Sequence, residues 1–165
     1  MTLVATSSQT VGPFFHFGLT GDGTVNAVTI PAGAPRLTLT VRVTDGAEQP
    51  VGDAAIEVFY APAAAPEGCC LFARLPTRAD GTCTFELAQP AAHVNVCLFA
   101  RGLLRHLHTR IYFEAHPAVA ADPVLDRVPA DRRHTLIARR EADGADRWRF
   151  DLRLQGGDET VFFDL

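Results

Sequence analysis

The sequence contains no lysine, so all 15 of its basic residues are arginine. That excludes a lysine Schiff base and a P-loop phosphate grip in this chain. Serine is almost absent. Ser7 and Ser8 are the only two, both near the N-terminus, which leaves a serine nucleophile with a histidine base poorly supported. Tyrosine occurs twice and tryptophan once. A net charge of −4 argues against nucleic-acid wrapping or polybasic membrane binding. No stretch approaches the ~18 apolar residues of a membrane span. Met1 to Thr10 lacks the basic and apolar regions of a secretion signal. Cys69, Cys70, Cys83 and Cys97 include an adjacent pair. Free thiols in a cytoplasmic protein are therefore expected rather than disulfides.

What is present is ordinary for one globular domain. The 165 residues are 47% apolar and 21% charged, enough to build a core without metal or disulfide staples. Strict alternation carries the fold. Leu37, Leu39, Val41 and Val43 oppose Thr38, Thr40, Arg42 and Thr44; Trp148, Phe150, Leu152 and Leu154 oppose Arg147, Arg149, Asp151 and Arg153. This is the pattern of strands with one buried and one wet face. Weaker runs lie at 56–60, 71–75, 82–87, 94–100, 107–113 and 134–138, with a short terminal strand expected at 161–163. Asp45-Gly46, Asp80-Gly81 and Asp143-Gly144 read as turns between them. Connections are expected at 61–68 and 114–129, the latter with room for a helical turn at 123–128. The prediction is an all-β, single-domain β-sandwich with an extended N-terminal arm. The arm and its connection cover 1–35, the sandwich 36–165. Phe14, Phe15 and Phe17 make the arm apolar without a regular period, as in a segment that packs on something else.

The residues alone offer little chemistry. His106 and His108 share one face of a strand, a spacing that can chelate a metal if a third ligand joins. Hydrogen-bonded surface histidines account for the pair more simply. His93 has Asn95 beside it, and asparagine is a poor transition-metal ligand. The four cysteines lack the paired spacing of a zinc site. Arg101 stands at a strand end before Gly102, where a guanidinium can meet an anion or simply be solvated.

Larger blocks are more specific. Ser8-Gln9-Thr10-Val11-Gly12-Pro13-Phe14-Phe15 is followed by His93-Val94-Asn95-Val96-Cys97-Leu98-Phe99-Ala100-Arg101-Gly102. Next come His106-Leu107-His108-Thr109-Arg110-Ile111-Tyr112-Phe113 and Arg149-Phe150-Asp151-Leu152-Arg153-Leu154-Gln155-Gly156. Glu159-Thr160-Val161-Phe162-Phe163-Asp164 closes the series. In this order they resemble the intradiol ring-cleaving dioxygenases, and within that family the α-type rather than the β-type chain.

The resemblance implies a division of labour. The family holds catalytic iron(III) with two tyrosines and two histidines, the latter arranged His-x-His. Here that strand reads His93-Val94-Asn95, and no tyrosine lies between Tyr60 and His93. Tyr60 falls outside the ligand position and Tyr112 inside a later strand. The implication is that this chain holds no catalytic residues and no metal, with Fe(III) bound in a β-type partner. Thr10, Gly12, Pro13 and Arg101 match positions that bind substrate beside that iron, in a hetero-oligomer of αβ pairs. Gly12 would allow close backbone approach, Pro13 would direct the arm, and Arg101 would meet a carboxylated catechol. The implied reaction inserts both atoms of O₂ between the hydroxyl-bearing carbons, giving a cis,cis-muconate. The phenylalanines of the arm would pack near the interface. The chain also looks shortened around 21–35 and 61–89. The alternative is a non-catalytic β-sandwich adaptor without an enzyme partner. A self-sufficient metalloenzyme would instead need His93, His106 and His108 to converge.

Overall fold

The computed structural model describes residues 4–21, 30, 32–64, 66, 68–142 and 146–164. Eight strands follow one short helix: α1 (Pro13–Thr20), β1 (Arg36–Thr44), β2 (Ala55–Tyr60), β3 (Leu71–Pro76) and β4 (Thr82–Ala88), then β5 (His93–Phe99), β6 (Leu107–Phe113), β7 (Ile137–Arg140) and β8 (Arg147–Arg153). They form a mixed sheet in the order β3-β2-β5-β6-β7-β8-β1-β4. β1 runs parallel to β8, and β6 parallel to β7; the remaining neighbours are antiparallel. The sheet folds over itself with β7 as the corner. One leaf is β3-β2-β5-β6 and the other β8-β1-β4. The two ends of the sheet are consecutive strands, joined by the turn at Asp80-Gly81.

Alternation dictates the core. Leu37, Leu39, Val41 and Val43 of β1 meet Ile56 and Val58 of β2, Val94, Val96 and Leu98 of β5, and Phe150 and Leu152 of β8 in one buried cluster. Thr38, Thr40 and Arg42 of β1, between them, are partly exposed. A second, smaller cluster sits outside the β5-β6 leaf, where Tyr112, Leu125, Val128 and Leu136 pack under Val119, Val161 and Phe163.

Local chemistry explains the turns. Asp45 Oδ1 accepts hydrogen bonds from the amides of Ala47 and Gln49, at 2.8 and 2.9 Å. Asp80 Oδ1 accepts from the Thr82 amide at 3.0 Å. Gly81 has φ +76° and packs so close that a Cβ would lie 2.5 Å from the Val43 carbonyl oxygen. Only glycine fits there. The turn expected at Asp143-Gly144 lies outside the described residues.

Three segments differ from the sequence reading. Within the arm, Pro13–Thr20 is helical. Pro13 has the fixed φ and missing N–H that suit a first helical position, and Gly21 ends the helix at φ +45°. The run at 134–138 is mostly not strand: Arg133–Leu136 is a 3-10 turn and β7 begins at Ile137. The expected strand at 161–163 reduces to a single bridge between Phe163 and His108. The helical turn anticipated in 123–128 is present as the 3-10 segment Leu125–Arg127. All four cysteines are free.

Candidate functional site

The arm and the β5-β6 loop enclose a cavity of about 170 Å³, lined by Val11, Gly12, Pro13, Phe15, Phe17, Asp53, Ala55, Phe99 and Arg101. Three of the four residues singled out in the sequence (Gly12, Pro13 and Arg101) thus share one wall. The fourth, Thr10, lies beside it: its Oγ1 accepts the Gly102 amide at 2.8 Å, tying the arm to the turn that carries Arg101. Phe15 seats the arm by packing on Phe99, ring centroids 5.0 Å apart. Phe15 of the arm is therefore spent within the chain.

Asp53 is the residue that the sequence reading missed. Its carboxylate pairs with the Arg101 guanidinium. Ala55 pairs with Phe99, and continuing that register by two residues brings Asp53 opposite Arg101. The signal existed, but only for a reader who knew that β2 lies beside β5. The Arg101 side chain is 70% exposed, and ion pairs in such settings contribute at most about 1 kcal/mol. A carboxylate ligand can therefore displace Asp53 at small cost.

A second polar centre occupies the outer face of β5 and β6, around His93 and Asn95. His93 and Asn95 share that face, and the groups around them pair largely with one another, although the buried His93 Nδ1 makes no hydrogen bond among the described residues. Asn95 Nδ2 donates to the Phe59 carbonyl at 3.1 Å. His93 Nδ1 lies 3.4 Å from Asp122 Oδ2. The same carboxylate accepts the Tyr112 hydroxyl at 3.0 Å and the amides of Val124 and Leu125 at 2.9 and 3.0 Å. Arg110 Nη1 approaches it at 3.6 Å. Burial opposes the charge on Asp122, but the Leu125 amide, the Tyr112 hydroxyl and the Val124 amide outweigh it and hold the carboxyl below its ordinary value. Burial and then the Arg110 guanidinium hold His93 below the usual histidine range, against the pull of Asp122.

This arrangement does not fit ferric iron. Tyr60 points the wrong way: Phe59 pairs with Asn95 on the outer face, so Tyr60, one residue on, lies in the inner core. Burial pushes its hydroxyl up to about 12. Tyr112 donates its hydroxyl to Asp122, and the Arg110 guanidinium, 3.6 Å from the same carboxylate, sets a positive charge beside these groups where a cation would need donors. The connection from β4 to β5 is residues 89–92 alone, too short for a further ligand loop.

His106 and His108 do converge, but not with His93. They meet Cys97, the three ligand-type atoms all within 4.8 Å of one another. His93 stands four residues back along β5, about 13 Å away at the rise of a strand. Among the described residues no helix is long and apolar enough to cross a membrane.

No family model matches the chain, yet individual relatives do. It is 39% identical to the protocatechuate 3,4-dioxygenase alpha chain of Burkholderia cepacia, covering 99% of both chains. It is 38% identical to the alpha chain of Pseudomonas putida, covering 99% of this chain and 98% of that one. With the beta chain of Burkholderia cepacia the identity is 29%, over 93% of this chain and 77% of the other. The first alignment runs over 195 positions against 165 residues, so at least 30 positions stand opposite gaps in this chain. Among solved structures, the fold matches the dioxygenase domain of a carbohydrate-binding fusion from Streptomyces sp. SirexAA-E (TM-score 0.60, 23% identity, 76% of this chain and 84% of that one). It also matches catechol 1,2-dioxygenase from Acinetobacter sp. ADP1 (TM-score 0.58, 15% identity, 78% and 55%). On full-length similarity, and with the intradiol dioxygenase fold, this chain belongs to the family of protocatechuate 3,4-dioxygenase alpha chains.

Proposed function

We infer that this chain is the iron-free α subunit of a protocatechuate 3,4-dioxygenase, working in αβ pairs in the cytoplasm. The β subunit would carry Fe(III) and cleave protocatechuate with O₂ to 3-carboxy-cis,cis-muconate. The full-length 39% identity to an alpha chain carries the reading. The Asp122 network supports it, because it occupies the place where a second iron would sit.

The chain's own contribution is then a wall of its partner's pocket. Arg101 binds the substrate carboxylate by exchanging it for Asp53, a charge-assisted contact that fixes orientation. Gly12 lets the arm backbone approach the ring, and Pro13 sets its direction. Thr10 holds the turn at Gly102, and through it the base of Arg101. No bond is made or broken on this chain.

The partner surface follows from what α1 leaves uncovered. Phe14 and Phe17 are 89% and 70% exposed and stand three residues apart, on one side of the helix. Obligate interfaces bury such residues. Phe14→Glu with Phe17→Glu should abolish co-purification with a co-expressed β-type chain. Undiminished recovery of the complex with both glutamates in place would remove α1 from the interface.

A further inference from the structure

The Cys97, His106 and His108 cluster belongs to neither site described above. Its origin is cross-strand register. Cys97 of β5 pairs with His108 of β6, and His106 lies two residues before His108 on the same face. The rings of His106 and His108 meet edge to face, centroids 4.7 Å apart. Cys97 is buried, His108 half-buried and His106 exposed, so the cluster opens to solvent on one side. The buried Nδ1 of His108 makes no hydrogen bond among the described residues. An unsatisfied buried nitrogen calls for an explanation, and a bound ion is one.

We propose that Cys97, His106 and His108 form a binding site for a borderline-soft divalent cation, Zn²⁺ foremost, at the base of the loop that presents Arg101. One thiolate and two imidazoles form a donor set of the kind zinc takes, with the open side left for water. Tetrahedral bonds of ~2.0–2.3 Å place ligand atoms roughly 3.3–3.8 Å apart. Separations within 4.8 Å stand at most about 1 Å above that range. The cation would clamp the two ends of residues 100–106, the loop that bears Arg101 on one side and His106 on the other. This inference stands apart from the functional reading and does not depend on a partner subunit.

Binding displaces the Cys97 proton to solvent with no change of oxidation state. Burial and then the Glu57 carboxylate push that thiol up to about 11. The groups facing it are Glu57 of β2, which is paired to Arg74 of β3, and the two histidines at β6. Burial and then His106 hold His108 below the usual histidine range.

The test uses the untagged full-length chain carrying Cys69→Ser and Cys70→Ser, which removes the two thiols outside the cores. Titration with Co²⁺ should give one bound equivalent and a thiolate-to-cobalt charge-transfer absorption, both displaced by Zn²⁺. Cys97→Ser should abolish that absorption. His106→Ala changes an exposed side chain and leaves the fold intact, yet should weaken binding more than about 100-fold, beyond the loss of an outer-shell partner. Absence of the thiolate band, its survival in Cys97→Ser, or unchanged affinity in His106→Ala would each overturn the site.

Discussion

Asp122→Ala should destabilise the chain by about 3–5 kcal/mol, the cost of removing one member of a buried charge network. On a chain of this size that lowers the melting temperature by roughly 10 °C. Asp122 is 8% exposed, and its loss orphans the Tyr112 hydroxyl and two backbone amides. The Arg110 guanidinium would also lose its counter-charge. Wild-type stability should depend on pH in two steps of the same sign. His93 and His108 are held below the histidine range in the fold, so the unfolded chain takes up protons first. Their contribution is complete above about pH 6.5 and is lost as pH falls toward the folded values. Asp122 is depressed in the fold, so its contribution is present above the ordinary carboxylate value near 4 and is lost as pH falls through the folded one. Chemical denaturation from pH 8 to pH 3 checks both. In Asp122→Ala the lower step should shrink. A variant less than 1 kcal/mol weaker than wild type would mean that the network does not hold the β5-β6 face.

In the assembled enzyme, Arg101→Ala should lower kcat/KM for protocatechuate roughly 10–100-fold. That is the range expected from losing a hydrogen-bonded charge pair of ~1.5–3 kcal/mol. Unsubstituted catechol, which has no carboxylate, should be turned over much as before. Iron content should not move, because in this account the partner subunit holds the iron and Arg101 is no ligand to it. An equal loss for both substrates would make Arg101 a structural residue of the turn. An undiminished kcat/KM would remove it from the pocket altogether.

Why some of this was legible in the sequence and some was not follows from the range of each interaction. β1 and β8 could be read because four residues in each case alternate into one core, and alternation is a local signal. The helix α1 escaped because eight residues are too few to show a period. Its real signs were Pro13 at the start and Gly21 at the end. The strand expected at 134–138 failed on its first residues, where Leu136 joins the small outer core through a 3-10 turn instead. Asp53 beside Arg101 and Cys97 beside His108 depend on which strands pair, a long-range fact. The second was within reach: a hairpin centred between Gly102 and Leu103 places Cys97 opposite His108. Asn95 could be recognised as a departure from His-x-His only through the family resemblance. Asp122 could not be recognised at all, since a 3-10 segment far along the chain delivers it to His93 and Tyr112.

The central claim is that this chain shapes a pocket whose iron belongs to another subunit. It is tested most directly by the iron-to-protein ratio of the complex co-purified with a β-type chain. The account predicts one iron per αβ pair. Two irons per pair would contradict it.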